Sequence, residues 1–403
     1  MRVLFIAPRL AMDHVHNVEW TGLDLILKDL VKCYLAAGHS VCAVSPHLYK
    51  FDKGYSHPEW CFQSKFLIPT IPCWELSRLN EKRIKFGTKA LLKQARTDFF
   101  YRWILDSIKI FEPNVVHIHS ADYWSLLAIA ACEKFHLPFI VTLHGINKTN
   151  PMCNQAVIYD ENFILNNLIH KARYITAVSW GTRQLMEEIN PKLKGKIEVV
   201  LNGTDLTPAK NNPVFTRERY AVPVDAKVIV CVGTVGERKN QIALIEAFDQ
   251  LTAMTKENIY LVIAGKDSSN GGVMNIVRHL KCSNKVVFTG FVSHSDINQI
   301  YSIATLNVVA SKSEGFGLSI IEAMRCGVPT LAYKGIDAYQ DFKDLYSVDF
   351  FSSLDKEILS RSILNHLNRF YDQDRILKEG MNFGFTAVAE KYLRMLHMAA
   401  REN

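Results

Sequence analysis

The sequence predicts an α/β protein of two domains, each built on a mostly parallel sheet, the two facing each other across a cleft. Three observations predict it. Short apolar runs rich in Val, Ile and Leu alternate with helical stretches from end to end, the pattern of parallel sheets covered by helices on both faces. The chain has 403 residues, long for one core and comfortable for two. Finally, nearly every notable polar cluster stands just after a strand, and ligands of open α/β sheets bind outside the carboxyl ends of the strands.

The elements follow in order. In the first half the runs predict strands near 2–7, 114–119, 138–143, 174–179 and 197–201. The opening run from Met1 to Pro8 is too short for the apolar region of a signal peptide and reads as a buried first strand. Thr21–Gly22 opens a helix over Leu23–Leu35. Around Asn202–Gly203–Thr204–Asp205 the alternation pauses, and a polar stretch with Pro208 and Pro213 follows. The second half predicts strands near 227–232, 259–264, 285–289, 305–310 and 329–333. The expected domains are 1–205 and 206–380, with 381–403 a separate C-terminal helical segment whose helix runs from about Thr386 to Ala400.

Composition narrows the classes. The chain is 48% hydrophobic and 22% charged, an ordinary globular balance, and no apolar run reaches the 18 or so residues of a spanning helix. Nine cysteines, odd in number and never spaced Cys-x-x-Cys, read as reduced thiols in a cytoplasmic protein. The net charge of +7 is concentrated: residues 65–109 hold ten Lys or Arg against four Asp or Glu. Arg78, Lys82, Lys85, Lys89, Lys93 and Arg96 recur at intervals of three and four, one face of a helix bordered by apolar residues. That stripe suits either water or an anionic membrane surface, which would make the protein peripheral on the inner face of the cell membrane. No nucleic-acid motif accompanies the charge.

The most informative stretch is Ser313–Glu314–Gly315–Phe316–Gly317–Leu318–Ser319–Ile320–Ile321–Glu322. Leu318, Ile321 and Met324 mark one stripe of a helix that opens near Gly317; Gly327 is placed to end it, and Pro329 blocks its continuation. Gly315, Phe316, Gly317 and Leu318 therefore bring backbone N–H groups to a helix N-terminus, a natural phosphate site. Glu314 would repel a phosphate and is expected to face neutral hydroxyls beside it. Glu322, about two turns into the helix, can accept two adjacent hydroxyls. A phosphate flanked by two hydroxyl-binding carboxylates describes a nucleotide sugar. Upstream, Gly233–Thr234–Val235–Gly236–Glu237–Arg238–Lys239 links a strand to a helix, and adjacent Arg238 and Lys239 there can clamp a diphosphate.

The first stretch resembles the Glu-x7-Glu signature of retaining glycosyltransferases of the GT-B fold, family 4 (the glycogen-synthase-like group) in particular. Gly233 to Lys239 resembles that family's Gly-x5-Lys segment; where many members carry Arg after the glycine this chain has Thr234, and Arg238 is expected to supply the contact. Thr142–Leu143–His144–Gly145 resembles the Thr-x-His-Gly turn, whose histidine lies beside the donor sugar. Val286 to Val292 resembles the segment whose backbone meets the nucleotide base. Gly22 stands where relatives often have two glycines and is expected to touch the phosphate or sugar. The C-terminal helix resembles the one that crosses back onto the first domain.

The resemblance implies two Rossmann-like domains, the second binding the nucleotide sugar and the first the acceptor. It implies retaining transfer to a hydroxyl of a glycan or lipid-linked glycan, as in polysaccharide, lipopolysaccharide or glycolipid synthesis, with no cofactor and no essential metal. Expected catalytic residues are His144, Lys239 and Glu314; expected donor contacts are Gly22, Arg238, Lys239, Val292, Gly315, Phe316, Gly317, Leu318 and Glu322. His14, His16 and His119 are candidates for the acceptor, His119 because it ends the strand Val116–His117–Ile118–His119. Asp372–Gln373–Asp374 lies in a helical stretch and reads as solvated surface. Two other readings compete: a nucleotide-sugar epimerase of the same architecture, which needs no acceptor, and a nucleotide- or glycan-binding protein that has lost catalysis. Nucleophile elbows and the dinucleotide glycine fingerprint are absent.

Overall fold

The computed structural model describes residues 1–8, 10, 22–46, 88–147, 153 and 155–401, with the side chains of 88–97 excepted. In the first half, β1 (Arg2–Ile6), α1 (Gly22–Ala36), β2 (Ser40–Val44), α2 (Thr88–Phe111), β3 (Val115–His119), α3 (Tyr123–Phe135), β4 (Phe139–Leu143), α4 (Gln155–Asn167), β5 (Tyr174–Ala177), α5 (Trp180–Ile189) and β6 (Ile197–Val199) alternate along the chain. The strands form one parallel sheet in the order β2-β1-β3-β4-β5-β6.

The second half opens with α6 (Pro213–Arg219) and continues through β7 (Lys227–Val232), α7 (Gln241–Met254), β8 (Ile259–Ala264), α8 (Gly272–Val277), β9 (Val286–Gly290) and α9 (Ile297–Ser302). It then runs through β10 (Leu306–Val309), α10 (Leu318–Arg325), β11 (Thr330–Tyr333), α11 (Tyr339–Phe342), β12 (Val348–Phe351), α12 (Lys356–Leu367), α13 (Gln373–Gly380) and α14 (Phe385–Arg401). Its parallel sheet runs β12-β11-β10-β7-β8-β9. The α/β architecture expected from the alternation is the one observed.

The central strands bury residues on both faces, because successive side chains point to opposite sides. In β1, Leu4 and Ile6 join a core with Ile118, Val141 and Ile164, while Val3 and Phe5 join another with Leu27, Leu30 and Tyr34. The C-terminal helix completes that second core. Phe385, Val388, Tyr392, Met395 and Leu396 recur on one face of α14 and pack against the sheet of the first domain, so the last helix belongs by contact to the beginning of the chain.

The sheet orders decide where a ligand can sit. In the first sheet the winding reverses between β1 and β3, in the second between β7 and β10. At such a point the two following loops run in opposite directions and leave a crevice at the strand ends. Residues 233–239 and 310–314 follow β7 and β10, His119 is the last residue of β3, and Gly22 opens the helix that comes after β1.

Candidate active site

Helix α10 is entered through Gly317, whose φ of +83° is a left-handed conformation that glycine adopts without penalty. The helix ends at Arg325, and Gly327 (φ +75°) turns the chain into β11. Phe316 points away from the crevice: its ring packs on Phe342 at 5.3 Å and on Phe383 at 6.3 Å, so only its backbone is available to a ligand.

Glu314 and Lys239 come from loops 75 residues apart in sequence but next to each other in the sheet, and they form the centre of the site. Glu314 Oε1 lies 2.5 Å from Lys239 Nζ and accepts a hydrogen bond from Ser311 Oγ at 2.6 Å. Arg238 Nη1 donates to Glu314 Oε2 at 3.3 Å and to the Ser313 carbonyl at 3.0 Å. Burial pushes the Glu314 carboxyl up, but the Lys239 and Arg238 charges and the bonds from Lys239 and Ser311 outweigh it and hold it below the usual glutamate value. Glu314 is therefore a carboxylate. The side chains of Lys239 and Arg238 are 13% and 39% exposed, so the cations, unlike Glu314, retain access to solvent. Gly233 makes room for the lysine, since a Cβ there would stand 2.8 Å from Lys239 Cε.

Glu322 lies deeper on α10. Tyr301 Oη donates to its Oε2 at 3.4 Å and to the Ser319 carbonyl at 3.1 Å, and His294 Nδ1 is 3.7 Å from its Oε1. Burial raises its carboxyl above the usual value, against the lowering effect of His294, Lys239 and Tyr301. Val292 borders a pocket of about 260 Å³ whose walls include Tyr220, Thr289, Phe291, Ser293 and Gln299.

The first domain meets this site from across the crevice. A Cβ on Gly315 would stand 2.4 Å from the His144 carbonyl oxygen, and one on Gly22 would stand 2.7 Å from Leu318 Cδ1. Thr182 Oγ1, in the first turn of α5, donates to the Gly315 carbonyl at 3.2 Å. The turn holding His144 is braced by Glu161 on α4, which accepts from the Asn147 amide at 3.0 Å and from Asn147 Nδ2 at 3.1 Å. Gly22, His144, Lys239, Glu314, Gly315, Gly317 and Leu318 are thus brought to one crevice.

His119 does not reach it. The residue is 1% exposed, stacked between Phe5 and His117, and meets the crevice only through His144, whose Nε2 is 3.0 Å from its Nδ1. The reason is α14, which covers this face of the sheet and sets Tyr392 5.1 Å from the His117 ring. Burial lowers His144 to about 3; burial and the neighbouring histidines put His117 and His119 well below 6.5, so all three are neutral. His14 and His16 lie outside the described residues, as do Arg78, Lys82 and Lys85 of the basic stripe, while Lys89, Lys93 and Arg96 stand on α2. Asp372 caps α13 by accepting from the Arg375 amide at 3.1 Å, which makes the Asp-x-Asp a helix start. Among the described residues no group of three or more His, Cys, Asp or Glu is arranged to share a metal ion.

Sequence reasoning missed Glu161, Thr182 and His294. Ser179 and Thr182 carried a signal, the Ser-x-x-Thr of a helix N-terminus, where Ser179 Oγ accepts from the Thr182 amide. His294 stands two residues after Val292 and could have been flagged by that proximity. Glu161 had no local signal, because its partner is a loop amide.

Two family models match the chain: Glycosyltransferase Family 4 over residues 20–208 and Glycosyl transferases group 1 over residues 215–343. The chain is a homologue of the GT-B glycosyltransferases. It is 23% identical over 330 residues to the alpha-monoglucosyldiacylglycerol synthase of Acholeplasma laidlawii, covering 78% of this chain and 76% of that protein. It is also 23% identical to the N-acetyl-alpha-D-glucosaminyl L-malate synthase of Bacillus anthracis, over 54% of this chain and only 56% of that protein. Among solved structures, HepE from Anabaena in complex with UDP and glucose superposes with a TM-score of 0.72 at 16% identity, over 99% of this chain and 100% of that one. That likeness establishes the fold of this GT-B homologue, two α/β domains facing across the crevice just described.

Proposed function

We propose that this GT-B homologue is a retaining glycosyltransferase that moves a sugar from a nucleoside-diphosphate sugar to a hydroxyl of a glycan or lipid-linked glycan. The observation that carries the reading is the Lys239–Glu314–Arg238 cluster at the switch point of the second sheet, set against His144 and Gly22 of the first domain. Lys239 is held in place by Glu314 before any ligand arrives, so its ammonium spends little freedom on binding. Arg238 and Lys239 take the diphosphate together with the amides around Gly315 and Gly317. Glu314 turns its carboxylate to the sugar hydroxyls, and Glu322 receives those of the ribose. The bond from the sugar carbon to the diphosphate oxygen breaks with its electron pair passing to the diphosphate. The acceptor oxygen bonds to the same face of that carbon, and the hydroxyl proton leaves with the diphosphate. Negative charge grows on the leaving group, where the two cations stand, and stabilisation at that place lowers the barrier.

The bound UDP and glucose of HepE and the lipid product named for the Acholeplasma relative support a UDP-sugar as the first donor to try and a lipid-linked hydroxyl as the first acceptor. No helix among the described residues is long and apolar enough to cross a membrane, so a lipid acceptor would be met at the surface. The test is a panel of nucleotide sugars, UDP-glucose among them, assayed with and without EDTA for donor hydrolysis, transfer and anomeric configuration by NMR. Retention with one donor, unaffected by EDTA, is the expected result. Inversion, or donor isomerisation without an acceptor, overturns it, the second outcome being that of an epimerase.

A further inference from the structure

His119 has no task in that reaction, although it touches His144. One of the two nitrogens across the 3.0 Å contact between His119 Nδ1 and His144 Nε2 carries the hydrogen. The remaining nitrogens, His119 Nε2 and His144 Nδ1, are buried and have no hydrogen-bond partner among the described residues. Both rings are neutral, so each holds one hydrogen, and one N–H of the pair must go unmet. If His144 donates, the unmet N–H is His119 Nε2–H, in the core between aromatic rings where no ligand can reach it. If His119 donates, the unmet N–H is His144 Nδ1–H, itself buried in the unliganded protein but on the residue that borders Gly315 and the crevice. Only a lone pair is then stranded in the core, the less costly of the two omissions.

The ring on which His119 stacks is itself locked. Thr176 Oγ1 donates to the Val141 carbonyl at 3.3 Å, so Thr142 Oγ1 gives its hydrogen to Thr176 Oγ1 at 2.6 Å. Thr142 in turn accepts from His117 Nε2 at 2.8 Å, and the Tyr34 hydroxyl, 3.1 Å away, donates to His117 Nδ1. The hydrogens of Tyr34, His117, Thr142 and Thr176 thus each have a place, and none of them is available to satisfy His119.

We propose that His119 is a positioning residue: by donating from Nδ1 it fixes His144 as the Nδ1–H tautomer, which offers a hydrogen-bond donor to an oxygen of the bound sugar. The last clause rests on the transferase reading; the tautomer does not. Nitrogen-15 correlation spectra of histidine-labelled protein, with no ligand present, test it directly, and His144→Gln identifies the His144 signals. The expected wild-type spectrum has the His144 proton on Nδ1. His119→Phe keeps the volume but removes the donor, and should let the proton redistribute to Nε2. His119→Asn, whose amide stands where Nδ1 stood, should restore the Nδ1–H form. With UDP-glucose as donor, hydrolysis by His119→Phe should fall about tenfold in kcat with little change in KM, and His119→Asn should recover much of it. A wild-type His144 protonated on Nε2 overturns the proposal whether or not the Phe variant folds. So does an unchanged tautomer in His119→Phe. A correct tautomer in an enzyme that consumes no nucleotide sugar would instead sink the transferase reading and leave the positioning role standing.

Discussion

The two domains come close together between Gly315 and His144: a Cβ on the glycine would stand 2.4 Å from the histidine's backbone oxygen and 3.2 Å from Gly145 Cα. The loop that carries Glu314 and the turn that carries His144 therefore share one boundary, and the groups that the proposed transfer uses in one domain are spaced against those of the other. Both obstructing groups are backbone, so no rotamer change relieves the contact. Gly315→Ala should part the domains by a fraction of an ångström to an ångström, a displacement that costs about a hundredfold in rate where reacting groups must be aligned. Melting temperature should fall as well. Kinetics and calorimetry of the variant check both, and wild-type values in either would contradict the contact.

Lys239→Ala removes the cation nearest Glu314. Loss of a contact to the departing diphosphate costs about 3 kcal/mol or more, on the order of a hundredfold in turnover. The same change removes the largest charge effect that keeps Glu314 ionised, and burial then acts on that carboxyl with only Arg238 and the Ser311 hydrogen bond opposing it. The variant should be less stable than wild type at neutral pH, which denaturant unfolding measures.

Glu314→Gln tests the same pair from the other side. The folded-state pKa of Glu314 is below its unfolded value, so the stability it contributes is present above about pH 4.5 and is lost as pH falls through the lowered folded value. Wild type should thus lose more stability than Glu314→Gln between pH 5 and pH 3. Parallel curves would show that the ion pair contributes nothing.

The basic stripe is tested on membranes. At roughly 1 kcal/mol per basic residue near an anionic surface, six residues give reversible binding that fades with salt. Wild type should co-sediment with anionic liposomes at low salt and not at high salt. A variant with Lys85, Lys89 and Lys93 changed to Glu should stay in solution under both conditions. No binding at low salt, or equal binding by the variant, leaves the stripe as a solvated face.

How much of this was legible in the chain depends on the range of the interaction. Helix α10 was legible because its start and stop are local, in Gly317 and Gly327. The strands β2 and β12 are missing from the expected set, and both are sheet edges. In β12 the apolar run is interrupted by Asp349, whose carboxylate meets Arg369 at 2.6 Å. That Lys239 would sit on Glu314 was beyond reach, because it follows from β7 lying next to β10, a neighbour relation that only the sheet order supplies. Glu314 was expected to face hydroxyls and in the unliganded protein faces two cations. His119 was expected in the crevice because it ends a strand; the helix that buries it is more than 260 residues further along the chain.

Asp341 gives the domain boundary a pH dependence. It stands on α11 of the second domain and its Oδ1 accepts from the Trp180 amide of the first at 2.9 Å, capping α5 across the interface. Burial is the main influence on its carboxyl and raises it to about 6, against the lowering effect of the bonds from Trp180 and Gly181. An acid whose folded pKa is raised binds its proton more tightly when folded than unfolded. Stability therefore falls as pH rises from the ordinary value of 3.8 to about 6, and the full cost of burying the charge is in place above that. Asp341→Asn keeps the accepting oxygen and removes the charge. The variant should match wild type below pH 4, become the more stable of the two between pH 4 and 6, and hold a constant advantage above. Melting temperatures measured from pH 3.5 to 8 decide it: a difference that does not change with pH would mean that Asp341 ionises without cost and that the cap is open to water.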